Sequence, residues 1–347
     1  MDFASFYHQY QGDLEDFWGR RDNRGTYTTE FRLFGHLVRM SSNQAGVLAA
    51  GDFSRQQYSI AQDTNDVPFS IQLVVRAASV DPGPVPENLD KFILYSADED
   101  WLNLHAGGWA NCFVELAQRR AVIVVTPQLA QRPDLVSRHL LNTVFNNLFT
   151  RNGYAMLHTT CLMRDDRVLL LIAPHGSGKS TTALHLNLAG YGLVSDSQVY
   201  VARRNGALQL TGFPVGRIRL RQDMLHEFPE FRSYLVPEPM RDEIKYLVDL
   251  RQLAPHLVCE QAIYPQRVEL CLLTRSGNDE THLTPVDRST IWQAIMLNSL
   301  HFDTLAVWER NLALIEPLVE RVRCHNLSVG SDVAGILSSV DSLWNEP

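Results

Sequence analysis

The chain has 347 residues, of which 45% are hydrophobic and 20% charged, a composition typical of folded globular proteins. Its length exceeds that of an average single domain, so we expect two structural units. The formal net charge of −8 excludes a global basic field that would attract nucleic acid or an anionic membrane.

The first part of the chain is rich in strand-like segments separated by turns. A polar and aromatic stretch at 1–30 is predicted to form a peripheral arm or a short helix. Apolar and β-branched residues then predict strands at 31–40, 69–77, 92–95 and 121–126. An apolar stripe with helical spacing predicts a helix over 131–150. We therefore divide the chain near residue 130, into a β-rich unit at 1–130 and a second unit at 131–347.

The second unit alternates strands and helices, which indicates an α/β fold with α+β character. Its first feature is a predicted hairpin over 154–173, whose second half contains the apolar run VLLLI, as in a strand covered on both faces. A helix is predicted from about 179 to 189, where Gly190 suits the position after its last turn. The remaining predicted elements are strands ending at 196 and covering 199–202, 208–211 and 268–274, and helices at 289–300, 305–323 and 331–343.

The segment APHGSGKS at 173–180 lies between the apolar strand and the helix, and it is typical of loops that bind phosphate groups. Such loops direct successive backbone N–H groups at an anion beside a helix N-terminus. Lys179 would reach the β- and γ-phosphates, and the Ser180 hydroxyl would bind Mg²⁺. The residues predicted to bind a nucleoside triphosphate are His175, Gly176, Ser177, Gly178, Lys179, Ser180 and Thr181.

One position of this loop departs from the usual pattern, because Ala173 replaces the glycine that normally opens it. Alanine is tolerated wherever the backbone φ angle is negative. The prediction of a phosphate-binding loop therefore includes a negative φ at Ala173.

Asp196 ends the strand that follows the predicted loop helix. In a parallel α/β arrangement, that end of the strand opens on the same edge as the loop. A carboxylate there either holds Mg²⁺ or accepts a proton from an attacking hydroxyl, and both roles are predicted for Asp196. The alternative is an aspartate that only caps a turn.

A row of arginines follows at 217–221, where Arg217, Arg219 and Arg221 alternate with apolar residues. On a strand, all three would point to one face. Such a face suits an anionic partner, and we take Arg219 as a candidate to offset charge on a transferring phosphoryl group. The alternative is a solvated charged face on an edge strand.

The cysteines and the N-terminus bear on the compartment. Five widely spaced cysteines support neither a disulfide framework nor a zinc site. The N-terminus lacks the pattern of a secretion signal, and no apolar run approaches the ~20 residues that cross a bilayer. We expect a cytoplasmic protein without nucleic-acid or membrane partners, and homo-oligomer formation stays open.

Residues 157–201, from Leu157-His158 through the loop to LVSDSQVYV, resemble the HPr kinase/phosphorylase family and its HPr kinase-related relatives. Kinase domains of this family share a fold with phosphoenolpyruvate carboxykinase. The resemblance implies ATP and Mg²⁺ as cofactors, and a serine of a protein or peptide as the acceptor. It also implies that Asp196 deprotonates that serine and that His158 belongs to the site.

Two positions depart from the family pattern. Ser197 stands where the family has a second aspartate, and the family's later metal-binding glutamate has no evident counterpart, with Asp242 and Glu243 as nearby substitutes. Both departures weaken the expectation of reverse phosphorolysis.

The sequence therefore indicates an ATP- and Mg²⁺-dependent kinase that acts on a hydroxyl, with residues 1–130 recognising a substrate or partner. Two alternatives stay open. The same scaffold could phosphorylate a small-molecule hydroxyl, which would require a closed polar pocket beside Asp196. It could also serve as a nucleotide-binding regulator with little turnover, which would agree with the two departures.

Overall fold

The computed structural model describes residues 27–174, 176–240, 243–298 and 304–345. These residues form two compact units. Unit 1 contains residues 27–32, His36–Arg55 and Thr64–Asn147, and unit 2 contains Leu33–Gly35, Gln56–Asp63 and residues 148–345. The main division lies between Asn147 and Leu148, whereas the sequence placed it near residue 130, because most of the helix predicted over 131–150 belongs to unit 1.

Unit 1 is built on one sheet. Its strands are β1 (Tyr27–Leu33), β2 (His36–Ser42), β3 (Phe69–Val75), β4 (Ile93–Ala97), β5 (Trp101–Ala106), β6 (Ala110–Glu115) and β7 (Arg120–Val125). They form a seven-stranded sheet in the order β1-β2-β3-β7-β6-β5-β4. β2, β3 and β7 are parallel, and β7, β6, β5 and β4 pair antiparallel. The helices of this part of the chain are α1 (Ala49–Arg55), α2 (Pro127–Ala130) and α3 (residues 133–151), which includes a π-helical stretch at Val136–Leu141.

Two predictions for the first part of the chain are wrong in detail. The single strand predicted over 31–40 is two strands, because Phe34 and Gly35 adopt positive φ angles of 49° and 83° and turn the chain. A Cβ at Gly35 would lie 2.0 Å from the carbonyl oxygen of Gln62, so this turn needs glycine for space as well as for conformation. The prediction also missed β5 and β6, whose short apolar runs are interrupted by polar residues.

Unit 2 contains three sheets. Its strands are β8 (Tyr154–Leu157), β9 (Thr160–Arg164), β10 (Arg167–Ile172), β11 (Gly192–Ser195), β12 (Gln198–Arg204), β13 (Ala207–Phe213), β14 (Arg217–Arg221), β15 (Val236–Met240), β16 (Glu243–Asp249), β17 (Arg267–Arg275), β18 (His282–Pro285) and β19 (Arg323–Val329). The largest sheet has the order β11-β9-β10-β17-β19-β18, and the smaller ones are β13-β12-β8 and β14-β16-β15. The helices are α4 (Lys179–Leu188), α5 (Leu250–Leu253), α6 (Arg288–Asn298), α7 (Leu305–Arg321) and α8 (Val333–Asn345).

The alternating side chains of β10 enter two different cores, which explains its continuous apolar sequence. Leu169 and Leu171 belong to a core cluster that includes residues of α4. Val168 and Leu170 belong to a second cluster that includes residues of α6 and α7. A strand covered on both faces needs apolar residues at every position, so the prediction for this strand is confirmed.

Other predictions for unit 2 need correction. The hairpin predicted over 154–173 is wrong in its first half: only β9 pairs with β10, while β8 pairs with β12 in another sheet. The helix predicted to reach residue 323 ends at Arg321, and the chain then forms β19, which the prediction missed. β19 pairs parallel with β17, which lies far away in sequence, so no local pattern indicates it.

The fold class is mixed α/β with several sheets, as the sequence indicated. Among the described helices, none combines the length and apolarity that crossing a bilayer requires.

Candidate active site

Several chain segments that carry chemistry meet at one edge of the six-stranded sheet. β10 and β17 are parallel, and β11 runs in the same direction as β10 because both pair antiparallel with β9. β10 leads into the glycine-rich loop (residues 173–181), β11 leads into Asp196, and β17 ends at Arg275. Thr160, the first residue of β9, lies at the same edge. The carboxyl ends of parallel strands are where α/β proteins bind ligands, so this edge is the candidate site.

The backbone of the glycine-rich loop explains its sequence. Gly176 and Gly178 have φ angles of +79° and +99°, a region that side chains disfavour. A Cβ at either position would meet no atom within 4 Å, so conformation and not space requires these glycines. Ala173 is fully buried and is not among the residues with positive φ, as predicted. His175 lies outside the described residues, and its predicted contact with nucleotide stays a prediction.

Lys179 folds back across the loop. Its Nζ donates hydrogen bonds to the carbonyl oxygens of Ala173 and Pro174, at 2.6 and 3.3 Å. Burial lowers the pKa of this ammonium, Asp196 opposes that effect, and Lys245 adds to it. The cation is therefore poorly solvated and has neutral carbonyls as its direct partners, which favours binding of an anion in the loop.

The hydroxyl groups of the loop have distinct surroundings. Ser177 Oγ donates to the carbonyl oxygen of Pro174 at 2.8 Å and so closes the turn. Ser180 is half-buried, and its hydroxyl lies close enough to the Asp196 carboxylate to lower the pKa of that carboxyl. Thr181 is half-buried in the first turn of α4, and Gly178 is the N-cap of this helix. Ser180 is the loop hydroxyl for which the structure gives a contact with Asp196.

Asp196 is 6% exposed and follows β11 directly. Thr160 Oγ1 lies 3.0 Å from its Oδ1 and 3.1 Å from its backbone carbonyl oxygen, so this hydroxyl can donate to both. Ser195, the residue before Asp196, is fully buried, and its Oγ donates to the carbonyl oxygen of Phe213 at 2.8 Å. These contacts hold the carboxylate in a defined position beside the loop.

Burial raises the pKa of Asp196 to about 6. Hydrogen bonds from Ser180 and Thr160, and the nearby charges of Lys179 and Arg219, lower the pKa but do not cancel the effect of burial. A carboxylate with this pKa is mostly ionised at pH 7, yet it is a much better proton acceptor than an ordinary aspartate.

The arginine row lies on β14 as predicted, with Ile218 and Leu220 buried between the arginines. Each arginine has a carboxylate partner. The pairs are Arg217–Asp249 at 3.4 Å, Arg219–Glu238 at 2.7 Å and Arg221–Asp223 at 3.4 Å. The charge of Arg219 also lowers the pKa of Asp196. The role of the row as an anion-binding face stays a prediction.

For His158, and for the residues that could replace the missing glutamate, the structure gives positions without testing their roles. His158 is half-buried in the short link between β8 and β9, two residues before Thr160 in the chain. Glu243 lies 3.2 Å from the ammonium of Lys245. Asp242 lies outside the described residues. The roles of these side chains stay predictions.

Sequence reasoning missed Thr160, Glu238 and Arg275, and it named Lys245 only as a weak candidate chosen by its family-like surroundings. Thr160 contacts Asp196, and Glu238, 5% exposed, holds Arg219. The charge of Lys245 lowers the pKa of Lys179. Arg275 Nη2 donates to the carbonyl oxygen of Gly176 at 3.3 Å. Only Arg275 had a usable signal, because a charged residue at the carboxyl end of a strongly apolar strand suggests a ligand site.

The oxygen donors of this edge suit a magnesium ion held together with phosphates. Mg²⁺ usually binds through one or two carboxylates, waters and substrate phosphates. The contact between Ser180 and Asp196 supplies one hydroxyl and one carboxylate beside the loop. Among the described residues, no group of three or more His, Cys, Asp or Glu side chains could hold a metal on its own.

Comparisons with known proteins give a distant likeness in structure. No family model matches the sequence, and no curated protein matches it. The chain is similar in structure to the Hpr(Ser) kinase/phosphatase from Coxiella burnetii, with 11% identity and a TM-score of 0.31. The alignment covers 55% of this chain and 90% of that chain. Similarity at this level is distant at most.

Proposed function

We propose that this protein is an ATP- and Mg²⁺-dependent kinase that transfers the γ-phosphoryl group to a hydroxyl, with a serine of a protein or peptide as the acceptor. The observation that carries the proposal is the contact between Ser180, at the start of α4, and a buried Asp196 whose pKa is raised to about 6. This proximity supports a site in which the loop holds the phosphates and the carboxylate accepts a proton.

The loop supplies the donor half of the site. Backbone N–H groups of the glycine-rich loop at the N-terminus of α4 would surround the phosphates, and the Lys179 ammonium would exchange its carbonyl partners for phosphate oxygens. Arg275, which already contacts Gly176, would add a second positive charge at the outer side of the loop. Ser180 and Asp196 would hold Mg²⁺, which would neutralise charge on the phosphates.

Asp196 supplies the acceptor half. It would accept the proton of the attacking hydroxyl while the oxygen of that hydroxyl forms a bond to the γ-phosphorus. The bond between the γ-phosphorus and its bridging oxygen breaks, and a nucleoside diphosphate leaves. Ser180 and Thr160 orient the carboxylate, and Arg219, whose charge already acts on Asp196, would offset negative charge on the transferring group.

The choice of a serine acceptor rests on the resemblance in residues 157–201 and not on the geometry. A closed polar pocket beside Asp196 would favour a small-molecule acceptor instead. Phosphoryl transfer to a serine peptide, and its absence with small hydroxyl compounds, would support the proposed acceptor.

The first experiment tests binding. With ATP at about one hundred times its dissociation constant, we expect a stabilisation of about 2.7 kcal/mol against unfolding. Lys179→Ala should abolish this gain, and Lys91→Ala, a control in unit 1, should keep it. A gain that survives in Lys179→Ala would refute the loop as the nucleotide site.

The second experiment tests chemistry. Asp196→Asn keeps the shape of the side chain but removes its ability to accept a proton. We expect the variant to retain the stabilisation that ATP gives in the absence of Mg²⁺, and to lose transfer by a factor of at least about 100. An Asn variant with an unchanged transfer rate would exclude Asp196 as the base, and a wild type that binds ATP without transferring it would favour a regulator.

A further inference from the structure

A short segment from the first part of the chain contacts the residues that hold Asp196 in place. This crossing segment, residues 56–63, belongs to unit 2, whereas the residues before and after it belong to unit 1. It lies against the link between β13 and β14, where the Val215 N–H donates to the carbonyl oxygen of Gln57 at 2.9 Å. It also exchanges two backbone hydrogen bonds with residues 260–262. The crossing segment is therefore an integral part of unit 2.

Two residues of the crossing segment hold the end of β13. Ser59 Oγ accepts from the Gly212 N–H at 2.8 Å, and the Ser59 N–H donates to the carbonyl oxygen of Gly212 at 3.2 Å. Ser59 is 2% exposed, so water cannot easily take over these bonds. The ring of Tyr58 packs on that of Phe213, with 4.5 Å between the ring centroids. Neighbouring residues of the crossing segment thus fix neighbouring residues of β13.

Phe213 in turn holds both ends of the turn at 195–198, between β11 and β12, which carries Asp196. At the first end, Ser195 Oγ donates to the carbonyl oxygen of Phe213 at 2.8 Å. The same Oγ accepts from the backbone N–H groups of the last two residues of the turn, at 3.3 and 3.4 Å. At the second end, Gln198 is paired with Phe213 in the ladder of β12 and β13. The direction of the Asp196 side chain therefore depends on the position of Phe213.

The packing beside this turn is tight. A Cβ at Gly212 would lie 2.5 Å from the carbonyl oxygen of Val194 and 3.1 Å from the Cβ of Ser195. A shift of Gly212 would therefore displace the strand that leads into Asp196. Thr160 Oγ1 lies 3.0 Å from the carboxylate, and a displaced turn would break that contact as well.

We propose that Ser59 is a positioning residue for phosphoryl transfer: it fixes the end of β13 and, through Phe213, the direction of the Asp196 carboxylate. This inference rests on the proposed function, in which Asp196 accepts the proton of the acceptor hydroxyl. Proton transfer requires the base within hydrogen-bond reach of that hydroxyl, so a small displacement of the carboxylate slows the reaction. The hydrogen bonds of Ser59 go to Gly212 and not to the glycine-rich loop, so ATP binding should not depend on them.

The first test compares Ser59→Ala with Ser54→Ala in assays of the full chain with ATP, Mg²⁺ and a serine-containing peptide. Ser59→Ala leaves the buried Gly212 N–H without its acceptor, so kcat should fall about tenfold while KM for ATP stays within about twofold. Ser54 is the matched control, because it is a fully buried serine of unit 1 whose Oγ lies 2.8 Å from Ser137 Oγ. Its replacement should leave kcat unchanged. Equal losses in the two variants would overturn the proposal, because general destabilisation would then explain both.

A titration without substrate separates this inference from the proposed function. Burial is the largest effect on the Asp196 carboxyl and raises its pKa to about 6. A loosened turn admits water, so Ser59→Ala should lower this pKa by about one pH unit, and Ser54→Ala should leave it unchanged. Carbon-13 NMR of the carboxyl groups measures the pKa, and the signal missing in Asp196→Asn identifies the residue.

The outcomes of the titration are distinct from those of the assay. A wild type that transfers nothing would count against the proposed function, and the titration would then decide on the positioning role. A pKa that does not fall in Ser59→Ala would overturn that role, whatever the activity of the wild type.

A double variant tests the route from Ser59 to the base. Ser195→Ala removes the hydrogen bond to Phe213 and should lower kcat by itself. Adding Ser59→Ala should then lower kcat little further, since residues that act through one contact have non-additive effects. Losses that multiply in the double variant would show that Ser59 acts independently of this contact, and would overturn the proposal.

Discussion

Replacing Asp196 by asparagine should stabilise the protein at neutral pH while it removes the proposed base. The carboxyl has a pKa of 3.8 when exposed and about 6 in the fold, because burial disfavours its charge. The difference of 2.2 pH units corresponds to about 3 kcal/mol that ionisation of this group costs the folded state at neutral pH. Asparagine has a similar shape and no charge, so it avoids this cost.

The pH dependence isolates this effect from other consequences of the substitution. The proton on Asp196 stabilises the fold fully below pH 3.8, and this contribution is lost as the pH rises through about 6. When the pH is lowered from 8 to 5, the free energy of unfolding of the wild type should therefore rise by about 1.4 kcal/mol relative to that of Asp196→Asn. The extra stability of the variant should be smaller by this amount at pH 5.

The assay is urea unfolding at both pH values, in the absence of nucleotide and divalent ions. Asp249→Asn is the control with the opposite pKa shift: burial raises the pKa of Asp249, but contacts with Arg251 and Arg217 lower it on balance. The Asp249 carboxylate is ionised throughout this range, so the difference in free energy of unfolding between Asp249→Asn and the wild type should be the same at pH 8 and pH 5. If the corresponding difference for Asp196→Asn is also the same at both pH values, the pKa of Asp196 is not raised and the reasoning is refuted.

Three further predictions concern the same edge of the sheet. Thr160→Val removes a hydrogen bond to the Asp196 carboxylate, so the pKa should rise further and the acidic limb of the pH–rate profile should move upward by about one pH unit. A limb at or below its wild-type position would contradict this. Gly178→Ala should reduce the free energy of unfolding by about 1–2 kcal/mol, because the φ angle of Gly178 is +99°. Ala173→Gly should change it by less than about 1 kcal/mol. Equal effects of the two substitutions in urea titrations would contradict the argument from backbone conformation. Arg275→Ala should raise the dissociation constant for ATP about threefold to tenfold in calorimetry without lowering the melting temperature, and unchanged binding would remove Arg275 from the site.

The glycine-rich loop shows how far the sequence reaches. Its strand, its glycines and its helix are consecutive, so all the features that define it are visible within residues 168–190. The continuous apolar run of β10 and the positive φ of Gly190 after α4 follow local rules in the same way. The position of Asp196 at the end of a strand was also a local feature.

The surroundings of Asp196 were decided by tertiary structure. Thr160 and Arg219 come from β9 and β14, and the partner of Arg219 is Glu238 on β15, so the contacts join distant parts of the chain. β19 was missed for the same reason, because pairing with β17 and not local propensity makes it a strand.

Local sequence therefore determined which groups this protein has available: a loop suited to phosphate, a lysine, a serine and an aspartate. Tertiary structure decided that the aspartate is buried beside the serine, and burial is what raises its pKa. Backbone conformation depends on residues that are neighbours in the chain, whereas desolvation and charge depend on whatever the fold brings near.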